Sequence, residues 1–358
     1  MKKTLSLLTI FAMLIVMAAG CANSSAKLIG VCMPKHNVDR WLQDGDNIRK
    51  QLQAKGYEVM LEYADDDTAT QIAQIESMID KKCQALIIAA TDSYALNDVL
   101  EKARKAKIKI IAYDRLLMHT EFVDYYCTFD NLELGEEQGK YIEAAFGLQD
   151  AASKPINMEI ISGASDDSCA VENYNGQMNV LKPYIDSGKI IAASGETGFE
   201  ATAIADWSTE NAEAYMRNLL SAHYANGEKL DAVLATNDSI ARGVITVLKE
   251  AGYESGSEAW PVITGQDCDA ENVAAIIDGE QSMSMFVDTR ALSTRAADLV
   301  DDVLSGKTPT INNTTRYDNE VKIVPASICK SIYVDKDNYL EILVRSGYFK
   351  EEDFQTAG

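Results

Sequence analysis

The stretch KIIAYDRLL, residues 109–117, runs from an apolar segment, Ile110, Ile111 and Ala112, straight into Tyr113, Asp114 and Arg115. An apolar run without polar alternation suits a strand of a parallel sheet covered on both faces. Such a strand ends in an acid and a base for one of two reasons. Either the two form an ion pair where the strand reaches water, or they point into a cleft and grip something.

The same pattern recurs along the chain. LIGVCM (28–33), EVMLEY (58–63) and ALIIAA (85–90) precede IKIIAY (108–113), and INMEIIS (156–162), KIIAAS (189–194), DAVLAT (231–236) and PVITG (261–265) follow. Between them lie segments of helical period; in TQIAQIESMID (70–80), Ile72, Ile75 and Ile79 share one face. Repeated strand–helix units predict an α/β architecture of two doubly wound, Rossmann-like lobes. Three crossings between lobes are expected at CTFDN (127–131), GQDCD (265–269) and MFVDT (285–289). That divides the chain into 28–130 with 267–286, and 131–266 with 287–358. No Pro-, Gly- or Ser-rich linker separates the lobes, so their segments interleave.

In open parallel sheets, ligands bind beyond the carboxyl ends of the strands. Here those ends carry Lys35 and Asn37, Asp92, Asp114 and Arg115, Asp166 and Asp167, Asn237 and Asp238, and Gln266 and Asp267. Two tryptophans stand in polar settings, Trp41 beside Arg40 and Trp207 beside Asp206. Carboxylate, amide and guanidinium groups offer the mixed donors and acceptors that a ring of hydroxyls needs, and indole faces suit the apolar C–H faces of a sugar. A monosaccharide site is the collective reading. Singly, each Asp or Asn also reads as a helix cap, and Trp41 as a packing residue.

The chain of 358 residues carries 33 basic and 55 acidic side chains. It opens with Lys2 and Lys3, an apolar run from Leu5 to Met17, then Ala18-Ala19-Gly20-Cys21, the order of a secretory leader. The run is shorter than the roughly 20 residues of a membrane span. The leader resembles that of bacterial lipoproteins, which implies cleavage after residue 20, a lipid on Cys21 and a tether over 21–27; plain secretion is the alternative. The chain from Cys21 onward keeps 31 basic against 55 acidic residues, a net charge of −24, which repels phosphate backbones and anionic headgroups. Nucleic acid is excluded as a partner, and membrane attachment must come from the lipid. Six cysteines besides Cys21 would allow three disulfides, but no CxxC spacing occurs and Cys32 and Cys83 lie in or beside apolar runs, as buried free thiols do, so disulfides are not expected. Three separated histidines offer no metal site.

Taken together, DRWLQDG, LEYADDDTATQIAQIESMI, ALIIAATD, IIAYDRLL, YYCTFDN, VLKPYIDSGKI, DAVLATNDS and VITGQD resemble the periplasmic sugar-binding proteins of ABC transporters. The likeness falls in the type I branch that takes xylose, glucose, galactose or arabinose, and it spans about Gly30 to Tyr348. It implies a monomer of two lobes on a three-stranded hinge, closing on one sugar, without cofactor or metal, and handing it to an ABC permease. Presentation of the sugar to a chemoreceptor or sensor kinase is the alternative. By motif, Arg40, Trp41, Asp92, Asp114 and Arg115 line the cleft from the first lobe. Asp167, Trp207 and Asn237 come from the second lobe and Asp267 from the hinge. Two positions depart from the pattern: Ser168-Cys169 stands for a pair of asparagines, and Phe286-Val287 lacks a lysine, for which Lys35 is the candidate substitute.

An enzyme of this architecture is the rival class. No GxGxxG follows the first strand, where VCMPKHN stands, and GxxxxGK[ST] and GxSxG are absent. Asp65-Asp66-Asp67 reads as a helix N-terminus rather than a metal site, and Tyr125-Tyr126 as strand packing rather than a ring cover. A DNA-binding regulator of related fold would need a helix pair before Leu28, and only leader and tether stand there.

Overall fold

The computed structural model describes residues 27–354; the leader, Cys21 and the tether up to residue 26 lie outside the described residues. The chain opens with β1 (Leu28–Met33), α1 (Asp39–Ala54), β2 (Glu58–Tyr63), α2 (Thr68–Asp80), β3 (Ala85–Ile88), α3 (Asn97–Lys105), β4 (Lys109–Tyr113) and β5 (Tyr125–Phe129). Asp67 caps α2 by accepting from the amides of Ala69 and Thr70, so the acidic triplet is a helix start. After the first crossing come α4 (Asn131–Ala145), β6 (Ile156–Ile161), α5 (Ser168–Asp186), β7 (Ile190–Ile191), α6 (Phe199–Thr202), α7 (Thr209–Leu219), β8 (Ala232–Ala235), α8 (Asp238–Glu250), β9 (Val262–Ile263), α9 (Ala270–Ile277) and β10 (Ser284–Phe286). The last part holds α10 (Thr289–Ser305), β11 (Ala326–Cys329) and β12 (Ile332–Val334).

One sheet is parallel throughout, in the order β11-β5-β4-β3-β1-β2. Its β3 and β4 are buried on both faces, Ile87 beside Ile111 in register, as the apolar runs require. The second sheet, β7-β6-β8-β9, is parallel too, and the Gln266–Met285 bridge joins it to the antiparallel pair β10-β12. Helices cover both sheets; Leu292, Ala296 and Val300 of α10 share a core with Ile29, Ile111 and Phe129.

That packing corrects the lobe boundaries read from sequence. Residues 289–329 belong to the first lobe, because α10 packs on its sheet and β11 pairs with β5. Residues 265–286 stay in the second lobe, since β10 pairs with β12 and bridges to Gln266. Asp267 therefore sits on a second-lobe turn and not in the hinge. The crossings at 127–131 and 285–289 stand, and the remaining one runs from Cys329 to Ile332 rather than through 265–269. The six described cysteines are free and buried. Among the described residues no helix is long and apolar enough to cross a membrane, and no group of His, Cys, Asp and Glu is arranged to hold a metal ion.

Candidate functional site

The carboxyl ends of both sheets face each other across a cavity of about 60 Å³. A water needs roughly 10–15 Å³ measured this way, so the space is on the scale of one small ring with its substituents. The first lobe contributes Lys35, Val38, Arg40, Trp41, Asp114 and Arg115. Facing them are Asn131, Asp167, Cys169, Asp206, Trp207, Asn237, Ser239, Gln266 and Asp267.

Asp114 stands at the end of β4 with φ +62°, a left-handed conformation that an aspartate adopts at a cost. Its carbonyl oxygen is held by three donors: the Tyr126 hydroxyl, the Thr128 hydroxyl at 3.0 Å and the Cys169 thiol at 2.9 Å. This clamp leaves the carboxylate to meet the Arg40 guanidinium. Arg40 also reaches across the cleft to Asp267 at 3.4 Å. Arg115 spans the cleft beside it, its Nε 2.7 Å from Asp167 and its Nη1 donating to the carbonyl of Ala90 at 2.8 Å. Lys35 donates to the backbone carbonyl of Asp206 at 2.7 Å. Thus every cationic side chain in the cavity belongs to the first lobe; Arg40 and Arg115 pair with second-lobe carboxylates, whereas the carboxylate partner of Lys35 is Asp66 of its own lobe, at 2.5 Å.

Burial drives the local electrostatics. It pushes Asp267 up to about 6 although Arg40 pulls the other way, and raises Asp167 against the opposing charge of Arg115. Lys35 is lowered, first by burial and then by Arg115. The walls hold matched acids and bases at little net charge, which fits a neutral ligand rich in hydroxyls better than an ion.

The indoles differ. Trp41 is buried in the first-lobe core, with the Arg40 and Arg115 guanidinium carbons 4.7 and 5.4 Å from its ring. Trp207, left-handed like Asp206 before it, lies flat over Gly163. A Cβ on that glycine would fall 2.2 Å from the indole, so only glycine admits the ring here. Trp207 Nε1 is buried with no partner.

Ten of the eleven binding residues expected from sequence line this cavity. Asp92 does not: it accepts from the amide of Tyr94 in a turn. Two others combine the alternatives that the sequence left open. Asp167 caps α5 through the amide of Cys169 and Asn237 caps α8 through the amide of Ile240, and both still face the cleft. Cys169 spends its thiol on the Asp114 carbonyl. Phe286 and Val287 are buried, Phe286 in a small second-lobe core and Val287 with the first-lobe sheet. Sequence reasoning missed Val38, Asn131 and Ser239 as lining residues; Asn131 lies within a predicted crossing, a signal that could have found it.

Residues 29–308 match the periplasmic binding protein domain. The chain belongs to the periplasmic binding protein family. Curated relatives of this binding protein include the multiple sugar-binding periplasmic protein SbpA of Azospirillum brasilense, 46% identical over 91% of both chains. Another is the multiple sugar-binding periplasmic receptor ChvE of Rhizobium radiobacter, 43% identical over 99% of this chain and 100% of that one. Among solved structures, an ABC transporter solute-binding protein from Clostridium phytofermentans with bound β-D-glucose superposes with a TM-score of 0.89. It is 46% identical over 92% of this chain and 100% of the other. The two-lobed α/β fold expected from sequence is the fold of this family.

Proposed function

We propose that this binding protein captures one neutral monosaccharide, an aldose of the glucose or xylose kind, between its lobes and delivers it to an ABC permease. The observation that carries the reading is the cavity: matched acids and cations, side-chain amides, an indole with an unpartnered N–H, and room for one small ring. In this reading Asp114 and Asp267 accept sugar hydroxyls, Asn237, Asn131 and Gln266 supply amide donors and acceptors, and Trp207 covers a C–H face. The ligand favours closure because it touches both lobes at once. The relatives named above, a multiple sugar-binding protein and a glucose-bound solute-binding protein, support the substrate class. A lipid on Cys21 would hold the protein at the outer face of the membrane, within reach of its permease; globomycin-sensitive processing and a mass matching an acylated Cys21 would test that attachment.

A thermal-shift screen of pentoses and hexoses tests the ligand. A sugar bound only by the folded protein, at a hundred times its dissociation constant, adds about 2.7 kcal/mol of apparent stability, a rise of several degrees. A flat screen across neutral monosaccharides, with a rise for another ligand class, removes the proposal.

A further inference from the structure

Behind the cavity wall lies a carboxylate that the site as described does not use. Asp44 follows Arg40 by one turn of α1 and is wholly buried. Its Oδ1 accepts the Tyr113 hydroxyl and lies 3.5 Å from the Ser293 hydroxyl of α10. That fixes the other oxygen, Oδ2, 3.5 Å from Arg40 Nε, and neither atom has any hydrogen-bond partner. Tyr113 and Asp114 are consecutive, so the two contacts form a square. Asp44 meets Tyr113, Arg40 meets Asp114, the helix joins 40 to 44 and the strand end joins 113 to 114.

We propose that Asp44 is a positioning residue for sugar binding, which from outside the cavity holds the Arg40 guanidinium in place between Asp114 and Asp267. The inference rests on the sugar-binding reading above. One guanidinium serves three buried carboxylates in this cluster, an excess of negative charge that a proton can relieve. The groups that bear electrostatically on Asp44 are Arg40, Asp114 and Asp267, with Tyr113 bonded to it. Farther out, Asp44 is felt by Tyr63, Cys127 and Tyr348. Burial carries its carboxyl up to about 7, with Arg40 and the Tyr113 hydroxyl pulling down. Protonation of Asp44 below that range takes the negative charge away from Arg40 Nε. Affinity therefore falls on the acid side, in a step above that of Asp267.

The test is calorimetric titration with D-glucose between pH 5.5 and 8.5 on the wild type, Asp44→Asn and Tyr113→Phe. Wild-type affinity should rise in two steps across the range, the upper one worth about tenfold, in line with one charged contact. Asp44→Asn should bind about tenfold more weakly at pH 8.5 and keep only the lower step. Tyr113→Phe, which removes a hydroxyl that favours the ionised carboxylate, should move the upper step to higher pH. Unchanged affinity in Asp44→Asn, or weakening by one constant factor at every pH, overturns the proposal, as does an unmoved step in Tyr113→Phe. Should the wild type bind neither D-glucose nor D-xylose, the sugar reading is what fails. The Arg40 Nε–H resonance of the sugar-free protein then decides: a titration near pH 7 that Asp44→Asn abolishes supports the pairing, and its absence in the wild type overturns it.

Discussion

The two lobes bring different chemistry to one cavity. The first supplies every cation, Lys35, Arg40 and Arg115, from the ends of β1 and β4 and the start of α1. The second supplies the acids Asp167, Asp206 and Asp267, the amides and the exposed part of an indole, and the first adds one acid of its own, Asp114. Closure sets one face against the other, with Arg40 on Asp267 and Arg115 on Asp167. The lobes are thus complementary before any ligand is considered, and the ligand adds contacts to a seam that already favours meeting. Direct bonds between lobes reinforce this: the Ser93 amide donates to the Asp166 carbonyl at 3.1 Å, and the Leu116 amide to the Ser168 hydroxyl at 3.0 Å. The residues standing where the family pattern has two asparagines, Ser168 and Cys169, tie lobe to lobe.

Arg40→Ala should have the largest effect. It leaves Asp44, Asp114 and Asp267 buried without their shared cation. Removing one partner of a buried pair costs about 3–5 kcal/mol, so melting temperature should drop by many degrees and sugar affinity by more than about 100-fold. Asp267→Ala comes next. It removes one acceptor, and affinity should fall about 10–100-fold, the worth of a hydrogen bond to a charged group. Melting without sugar should hold or rise, because the lost carboxyl is one that burial already disfavours in its ionised form. Gly163→Ala tests the second-lobe face alone. Its Cβ displaces the Trp207 indole, and titration should show affinity about tenfold weaker with first-lobe ion pairs intact.

A smaller effect concerns pH. Asp267 and Asp44, at about 6 and about 7, both lie above the unfolded carboxylate value of about 3.9. The folded protein therefore binds more protons than the unfolded chain between about pH 4 and 7, and stability falls as pH rises through that window. Melting without sugar should be a few degrees higher at pH 5 than at pH 8, a difference that Asp44→Asn reduces. The smallest effect belongs to Asp92→Ala. Its carboxylate serves a turn, so affinity should stay within about twofold of the wild type.

Legibility in the sequence divides along physical lines. Strands buried on both faces were readable because continuous apolar runs mark them locally, and β1 and β2 begin and end where LIGVCM and EVMLEY do. Strands β11 and β12 escaped. ASIC and IYV are short and weakly patterned, Ile332 and Tyr333 are exposed, and β11 joins β5 across some 200 residues, a pairing no local pattern records. With them went the third crossing and the ownership of α10. Cavity-lining residues were readable because the carboxyl ends of parallel strands converge. Asp92 shows the limit of that rule: a strand-end acid that serves its own turn looks the same in sequence as one that faces the cleft. The clamp that Tyr126 and Thr128 put on Asp114, and the place of Asp44 behind Arg40, could not be read from sequence, since those roles exist only in the packed structure.

One neutral sugar, in the proposal above, bridges the cation-bearing first lobe and the carboxylates of the second. Calorimetric titration of the wild type and Asp267→Ala with D-glucose at pH 8 tests it most directly. One saturable site per chain is expected in the wild type, with a loss of about 10–100-fold in the variant. Binding of equal strength in both proteins would contradict it.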